Sequence, residues 1–244
     1  MKKRIRDFVL RNFSIKGFVF LIILKNVLRG KKPNRFMDVN GIFHILSRNK
    51  DLFFIQIGSN DGVTNDPIRP FILKYRWSGI LVEPIPNIFQ KLVENYKDSP
   101  NLKFENVGIG DKNEMLPFYA LPAEINEPDW LQQIGSFSKE AFVKNASVIP
   151  GLTEKMIIQN FHVIKWSELL KRNDVKAIDL LNIDAEGFEY IILKQLKEGH
   201  ILPKMILFEW GSMDDHDFSK TNDLLRSMNY KLYNSGGDVL CVQA

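Results

Sequence analysis

From residue 52 onward, short apolar runs alternate with stretches whose apolar residues recur at helical spacing, and this rhythm constrains the fold most. Residues 52–57, 79–82, 102–109, 178–183 and 205–208 read as strands, and 67–75, 87–96, 188–196 and 222–228 as helices. The runs 52–57, 79–82, 178–183 and 205–208 are largely apolar rather than alternating, so both faces of the sheet are covered. That is the pattern of an α/β domain with a mostly parallel sheet and helices on both sides. The last two runs, 230–233 and 239–242, flank Asn234-Ser235-Gly236-Gly237-Asp238, a hairpin turn that adds an antiparallel pair at one edge. Residues 122–162 interrupt the rhythm. An insertion of that length inside a compact domain is expected to cap a site, because ligands of open α/β sheets bind at the carboxyl ends of the strands.

Charge divides the chain at about residue 35. Residues 1–35 hold eleven Lys or Arg against one acid, a net +10, and residues 36–244 carry −6. The acidic body argues against nucleic acid as a partner. The first 35 residues read as a basic amphipathic arm, with Ile5, Phe8, Val9 and Phe13 at helical spacing and Gly30-Lys31-Lys32-Pro33-Asn34 as the linker to the 36–244 domain. The apolar run 17–24 is too short to span a bilayer, and no small-residue cleavage site follows it. Attachment to an anionic membrane surface is one reading of the arm. In the alternative, Phe18, Phe20, Ile22 and Ile23 pack on the protein's own core or on a sister subunit. One cysteine, Cys241, excludes an internal disulfide and a cysteine-based zinc cluster and fits a cytoplasmic protein, with the arm at the inner face of the membrane.

The chemistry gathers where the strands end. The first ends in Gln56-Ile57-Gly58-Ser59-Asn60-Asp61-Gly62, whose glycines permit a tight turn and close approach of a ligand to the backbone. The second ends in Glu83-Pro84, a carboxylate placed to accept hydrogen bonds from both ribose hydroxyls. The third ends near Asn106 and Gly108, at the height of an adenine edge. Asp184 and Glu186 follow the fourth and Glu209 ends the fifth, so three acids reach one edge of the sheet. An acid closing a buried apolar strand is costly unless it faces a cleft or a partner. No Gly-Lys-Ser/Thr follows the first turn, which disfavours a P-loop.

In this order, residues 57–66, 81–86, 106–111, 135–137, 180–189 and 206–209 resemble the FkbM family of S-adenosylmethionine-dependent methyltransferases, over roughly residues 50–242. The resemblance implies a class I methyltransferase, Rossmann-like, with S-adenosyl-L-methionine as cofactor and commonly a sugar hydroxyl in glycan or natural-product pathways as acceptor; the basic arm adds the expectation of a glycan or lipid-linked acceptor at the membrane. It places Gly58, Asn60 and Gly62 along the methionine and ribose of the cofactor and Glu83 on the ribose. Gln56, Ser59, Pro84, Asn106, Gly108 and Asp184 complete the expected cofactor site. Gln56 stands where the broader class often has an acid.

A sugar hydroxyl needs a general base within hydrogen-bond reach, and Asp184, then Glu186 and Glu209, are the expected catalytic residues. His162 and His216 are further candidates by titration range. The fourth strand lacks the Asn/Asp-Pro-Pro-aromatic sequence of many amine and amide methylating enzymes, which favours oxygen over nitrogen. Asp214-Asp215-His216-Asp217 reads as a helix-starting loop rather than a Mg²⁺ site, and no metal is expected. The competing readings are a nicotinamide-dependent oxidoreductase, which the glycine turn and Glu83 also fit, methylation of an amine or amide, and a non-catalytic membrane-surface module.

Overall fold

The computed structural model describes residues 14–28, 37–48, 51–122, 124–125, 131 and 134–244. The expected helix through Ile5, Phe8, Val9 and Phe13 and the linker at 30–34 lie outside them. In chain order the elements are α1 (Ile15–Leu28), α2 (Val39–Leu46), β1 (Phe53–Ile57), α3 (Arg69–Tyr75), β2 (Ser78–Val82), α4 (Pro86–Asn95), β3 (Leu102–Glu105), β4 (Gly108–Gly110), β5 (Glu114–Ala120), α5 (Lys139–Ala146), β6 (Ile157–Lys165), α6 (Trp166–Arg172), β7 (Leu180–Ile183), α7 (Glu189–Leu193), β8 (Met205–Glu209), α8 (Asp215–Ser227), β9 (Tyr230–Ser235) and β10 (Asp238–Gln243). Seven strands form the main sheet in the order β3-β2-β1-β7-β8-β10-β9. β1 lies parallel between β2 and β7, and the hairpin β9–β10 joins β8 antiparallel. Chain order reverses direction between β1 and β7, the crevice where α/β sheets bind ligands.

Period-two alternation sorts the side chains of β1. Ile55 and Ile57 enter one buried cluster, with Ile183, Ile206 and Phe208. Phe54 enters the other, with Phe43, Phe71 and Trp77. Helix α1 docks on this second cluster through Phe18 and Val19, with Ile22 and Ile23 packed beside them. A Cβ on Gly41 would lie 2.5 Å from the Phe18 ring, so α1 approaches α2 where a side chain is missing. Phe20, by contrast, is 62% exposed.

Three expectations change. The strand read over 102–109 is two strands. β3 pairs with β2, then the chain leaves the main sheet and β4 pairs with β6 in a second sheet, ordered β4-β6-β5. Gly108 and Gly110 permit this, since a Cβ at either would meet Phe137 at 2.7 Å or Val163 at 2.5 Å. The insertion is bracketed by the antiparallel pair β5–β6 and carries α5 and a small core around Phe142. Helix α8 begins at Asp215 rather than 222, because the Asp214 side chain accepts from Asp217 N at 2.7 Å and caps it.

Candidate active site

The turn after β1 is held from its neighbours. Gly58 N and Ser59 N donate to Val82 O at 3.1 and 3.0 Å, and Asp184 N donates to Ile57 O at 3.0 Å. Gly58 has φ +74°, and a Cβ there would stand 1.7 Å from Asp184 O. Glycine is thus required twice, by its dihedral and by the crossing of two loops. Glu83 is 4% exposed. Its Oε2 accepts from Asn60 N at 3.0 Å and its Oε1 from Ile85 N at 2.9 Å, which ties the glycine turn to the end of β2. Burial pushes its pKa up to about 7.

These loops border a cavity of about 370 Å³ at the carboxyl ends of the strands. Of the expected cofactor residues, Gln56, Gly58, Ser59, Asn60, Glu83, Pro84, Gly108 and Asp184 line it. Gly62 and Asn106 do not. Gly62, at φ +68°, lets the turn pass beneath Tyr96 and Leu92, which a Cβ would approach to 2.5 and 2.6 Å. Asn106 braces the Glu83 segment, donating from Nδ2 to Glu83 O at 2.8 Å and Pro84 O at 3.1 Å. The Ser59 hydroxyl is spent within the fold, donating to Gln56 O at 3.2 Å and accepting from Val82 N at 3.1 Å.

Sequence reading missed Asp66, which also lines the cavity. Its Oδ1 accepts from Ile68 N and Arg69 N at 2.9 and 3.1 Å, and its carboxylate takes a further hydrogen bond from the Gln56 amide. Burial, opposed by these donors, raises its pKa. With Nε2 directed at Asp66, Gln56 Oε1 is buried and has no partner among the described residues. An orphaned acceptor on a cavity wall suits a ligand that brings an N–H donor. The Asp66-Pro67 pair ahead of α3 was the available signal.

Asp184, Glu186 and Glu209 do converge, with ligand oxygens within 4.8 Å of one another, a spacing a metal ion could also use. Asp184 is reached by solvent through the cavity yet ringed by protein. Burial first, then the charges of Glu186 and Glu209, holds its pKa well above the usual carboxylate range. No hydrogen bond from the described residues reaches its carboxylate. Glu186 is pinned instead. Its Oε2 accepts from Ser212 Oγ at 2.7 Å and Asn145 Nδ2 at 2.9 Å, and burial brings its pKa up to about 7. Ser212 Oγ also lies 3.4 Å from Glu209 Oε2. Asp238 joins the wall beside Glu209 and, after burial, is the main cause of that carboxyl's raised pKa. Among the described residues, no lysine, arginine or histidine lines the cavity. His162 and His216 are exposed and outside it, and Phe118, Phe137 and Phe188 form an aromatic wall.

Beneath the acids, Glu189 is fully buried. Its Oε1 accepts from Ala185 N and Gly187 N at 2.8 and 3.3 Å, Oε2 has no partner among the described residues, and burial lifts its pKa to about 8. Folding therefore holds a proton that the unfolded chain releases near the ordinary 4.5. The stability linked to it is complete below that value and is lost as pH rises through 8. Glu83 and Glu186 act in the same direction through 7. We expect the melting temperature to fall as pH rises from about 5 to about 9. Glu189→Gln, which keeps the acceptor for both N–H groups, should flatten the upper part of that fall. An unchanged profile in the variant would remove Glu189 from this role.

The methyltransferase FkbM domain model matches residues 56–232. A search of curated proteins by sequence gave no significant match. Among solved structures, the methyltransferase FkbM from Methylobacillus flagellatus KT superposes with a TM-score of 0.49 at 11% identity, over 94% of this chain and 62% of that one. Fibrillarin of Aeropyrum pernix, solved with natively bound S-adenosyl-L-methionine, gives 0.42 at 11% identity, over 78% and 65%. The precorrin-6y C5,15-methyltransferase of Geobacter metallireducens GS-15 gives 0.40 at 11%, over 83% and 87%. The family match covers the glycine turn, Glu83 and all three acids, and it displaces the nicotinamide and non-catalytic readings. With that match over most of its length, the chain belongs to the FkbM family of S-adenosylmethionine-dependent methyltransferases.

Proposed function

We propose that the enzyme methylates a hydroxyl of an uncharged sugar, in a glycan or a lipid-linked glycan. The observation that carries this reading is the cavity's lining. Asp184, Glu186, Glu209 and Asp238 meet there with no fixed cation among the described residues, so a phosphate or carboxylate at the reacting centre would be repelled. A neutral polyol is not, and its hydroxyls are donors to these acceptors. The Phe118, Phe137 and Phe188 wall offers an apolar surface to the C–H face of a sugar ring.

The cofactor supplies an activated methyl group on a positively charged sulfur. Gly58 and Asn60 would support its amino-acid and ribose parts, and Glu83 would accept from the ribose hydroxyls. Asp184 would take the proton from the acceptor hydroxyl as the oxygen attacks, while Glu186 and Glu209 hold the local field negative. Most of the rate gain is alignment of nucleophile and methyl carbon. Residues 122–162, which bring Gly135 and Phe137 to the wall and Asn145 to Glu186, would act as the acceptor-selecting lid.

The test supplies labelled methyl donor with neutral oligosaccharides, phosphosugars, amines and protein. Label in a neutral sugar as an alkali-stable ether is the expected result, and label confined to nitrogen or to phosphosugars would reject the reading. Glu83→Ala should weaken S-adenosylhomocysteine binding about 10–100-fold by calorimetry, since it removes a charged acceptor. Unchanged affinity would move the ribose away from Glu83.

A further inference from the structure

Helix α1 turns apolar side chains both to the body and to solvent. Phe18 and Val19 are buried against the body, whereas Phe20, Leu24 and Leu28 are 62%, 41% and 77% exposed. These three stand four residues apart, on one ridge of the helix, and exposed Lys16 opens the same ridge. Lys25 is exposed on the helix, and exposed Lys231 borders the groove beside Phe20 and Ile23. Exposed large apolar side chains are ordinarily scattered singly, and a row of them framed by cations marks a contact surface.

We propose that this ridge docks the enzyme in-plane on an anionic lipid bilayer. Charge selects the occupant. Lys16, Lys25 and Lys231 frame the ridge, so a second copy seated on it would set like charges against one another, whereas anionic headgroups neutralise them. Length and packing select the pose. The fourteen residues of α1 extend about 21 Å, short of the roughly 30 Å hydrocarbon core, and their inner face is already covered by protein. No helix among the described residues is long and apolar enough to cross a membrane. The helix therefore lies along the interface, with Phe20, Leu24 and Leu28 at the headgroup boundary and the Lys16 and Lys25 ammonium groups reaching the phosphates. Docking of this kind is independent of which acceptor is methylated.

The full chain is sedimented with vesicles of phosphatidylcholine, with and without phosphatidylglycerol, at low and high salt. Binding that requires phosphatidylglycerol, falls steeply with salt and drops about tenfold or more in the Phe20→Gln/Leu24→Gln double variant is the expected result. S-adenosylhomocysteine binding by the variant reports that it is folded. The proposal fails if phosphatidylglycerol vesicles do not retain the protein, or if a folded double variant binds as well as the parent. It also fails if light scattering shows a dimer that the variant loses, which would give the ridge to a second copy.

Discussion

Asp184→Asn lowers kcat by about 10²–10⁴-fold while the affinity for S-adenosylhomocysteine changes by less than about threefold, if Asp184 takes the acceptor's proton. The substitution keeps shape and removes the base. Its neighbours cannot replace it equally. Glu186 Oε2 is already engaged by Ser212 and Asn145, and Glu209 lies near the same serine hydroxyl. The Asp184 carboxylate has no such hydrogen bond from the described residues, so it is open to a substrate hydroxyl. Glu186→Gln and Glu209→Gln should cost less, about tenfold, through the lost field. The sign of the pH dependence follows from the raised pKa of Asp184. The base works ionised, so the rate climbs with pH until Asp184 has lost its proton, and Asp184→Asn abolishes that climb. Single-turnover methyl transfer over a pH series measures both. An Asp184→Asn enzyme of near-normal rate would remove Asp184 from proton transfer.

How much of this site the sequence disclosed depends on the range of the interaction involved. Strands β1, β2, β7 and β8 were legible because each is an apolar run closed by a glycine or an acid, a signal contained in a few residues. Convergence of Asp184, Glu186 and Glu209 followed from the parallel order alone, since ends of neighbouring parallel strands must meet. What could not be read was partner choice at long range. The run 102–109 looks continuous because its residue types do not say which sheet they join; the break shows only where Gly108 and Gly110 meet Phe137 and Val163. β5 and β6 were invisible for a related reason. β6 is largely exposed, and its partner precedes a long insertion.

The same limit separates contact from support. Gly62 and Asn106 sit in loops that sequence assigns to the cofactor, yet one makes room for Tyr96 and the other braces Glu83. Asp66 made the opposite move. Its local role is to receive Ile68 N and Arg69 N at the start of α3, and only the folded chain sets it against Gln56 at the cavity. Asn145 and Ser212 reach Glu186 from 41 and 26 residues away.

Gly58→Ala should destabilise the protein by about 3–5 kcal/mol and abolish measurable donor binding, the largest effect expected of any single methyl group in this chain. Two separable costs act there. The first is the dihedral, φ +74°, which any L-residue resists at about 1 kcal/mol. The second is a Cβ placed 1.7 Å from the Asp184 carbonyl oxygen, a contact with backbone that no rotamer relieves. Relief requires the 184–187 loop to move away from β1, breaking the bond from Asp184 N to Ile57 O and carrying the acids out of register with Glu83. Gly151 and Gly236 supply the control. They share the left-handed dihedral, at φ +79° and +84°, but an added Cβ meets nothing within 4 Å at either. Alanine at those positions should cost only the dihedral, about 1 kcal/mol by urea unfolding, with donor binding retained. The excess at Gly58 then measures the crossing of the two loops. If Gly58→Ala unfolds no more readily than Gly151→Ala and still binds S-adenosylhomocysteine, the two loops do not meet as described, and the convergence of turn, ribose acid and proton acceptor would have to be abandoned.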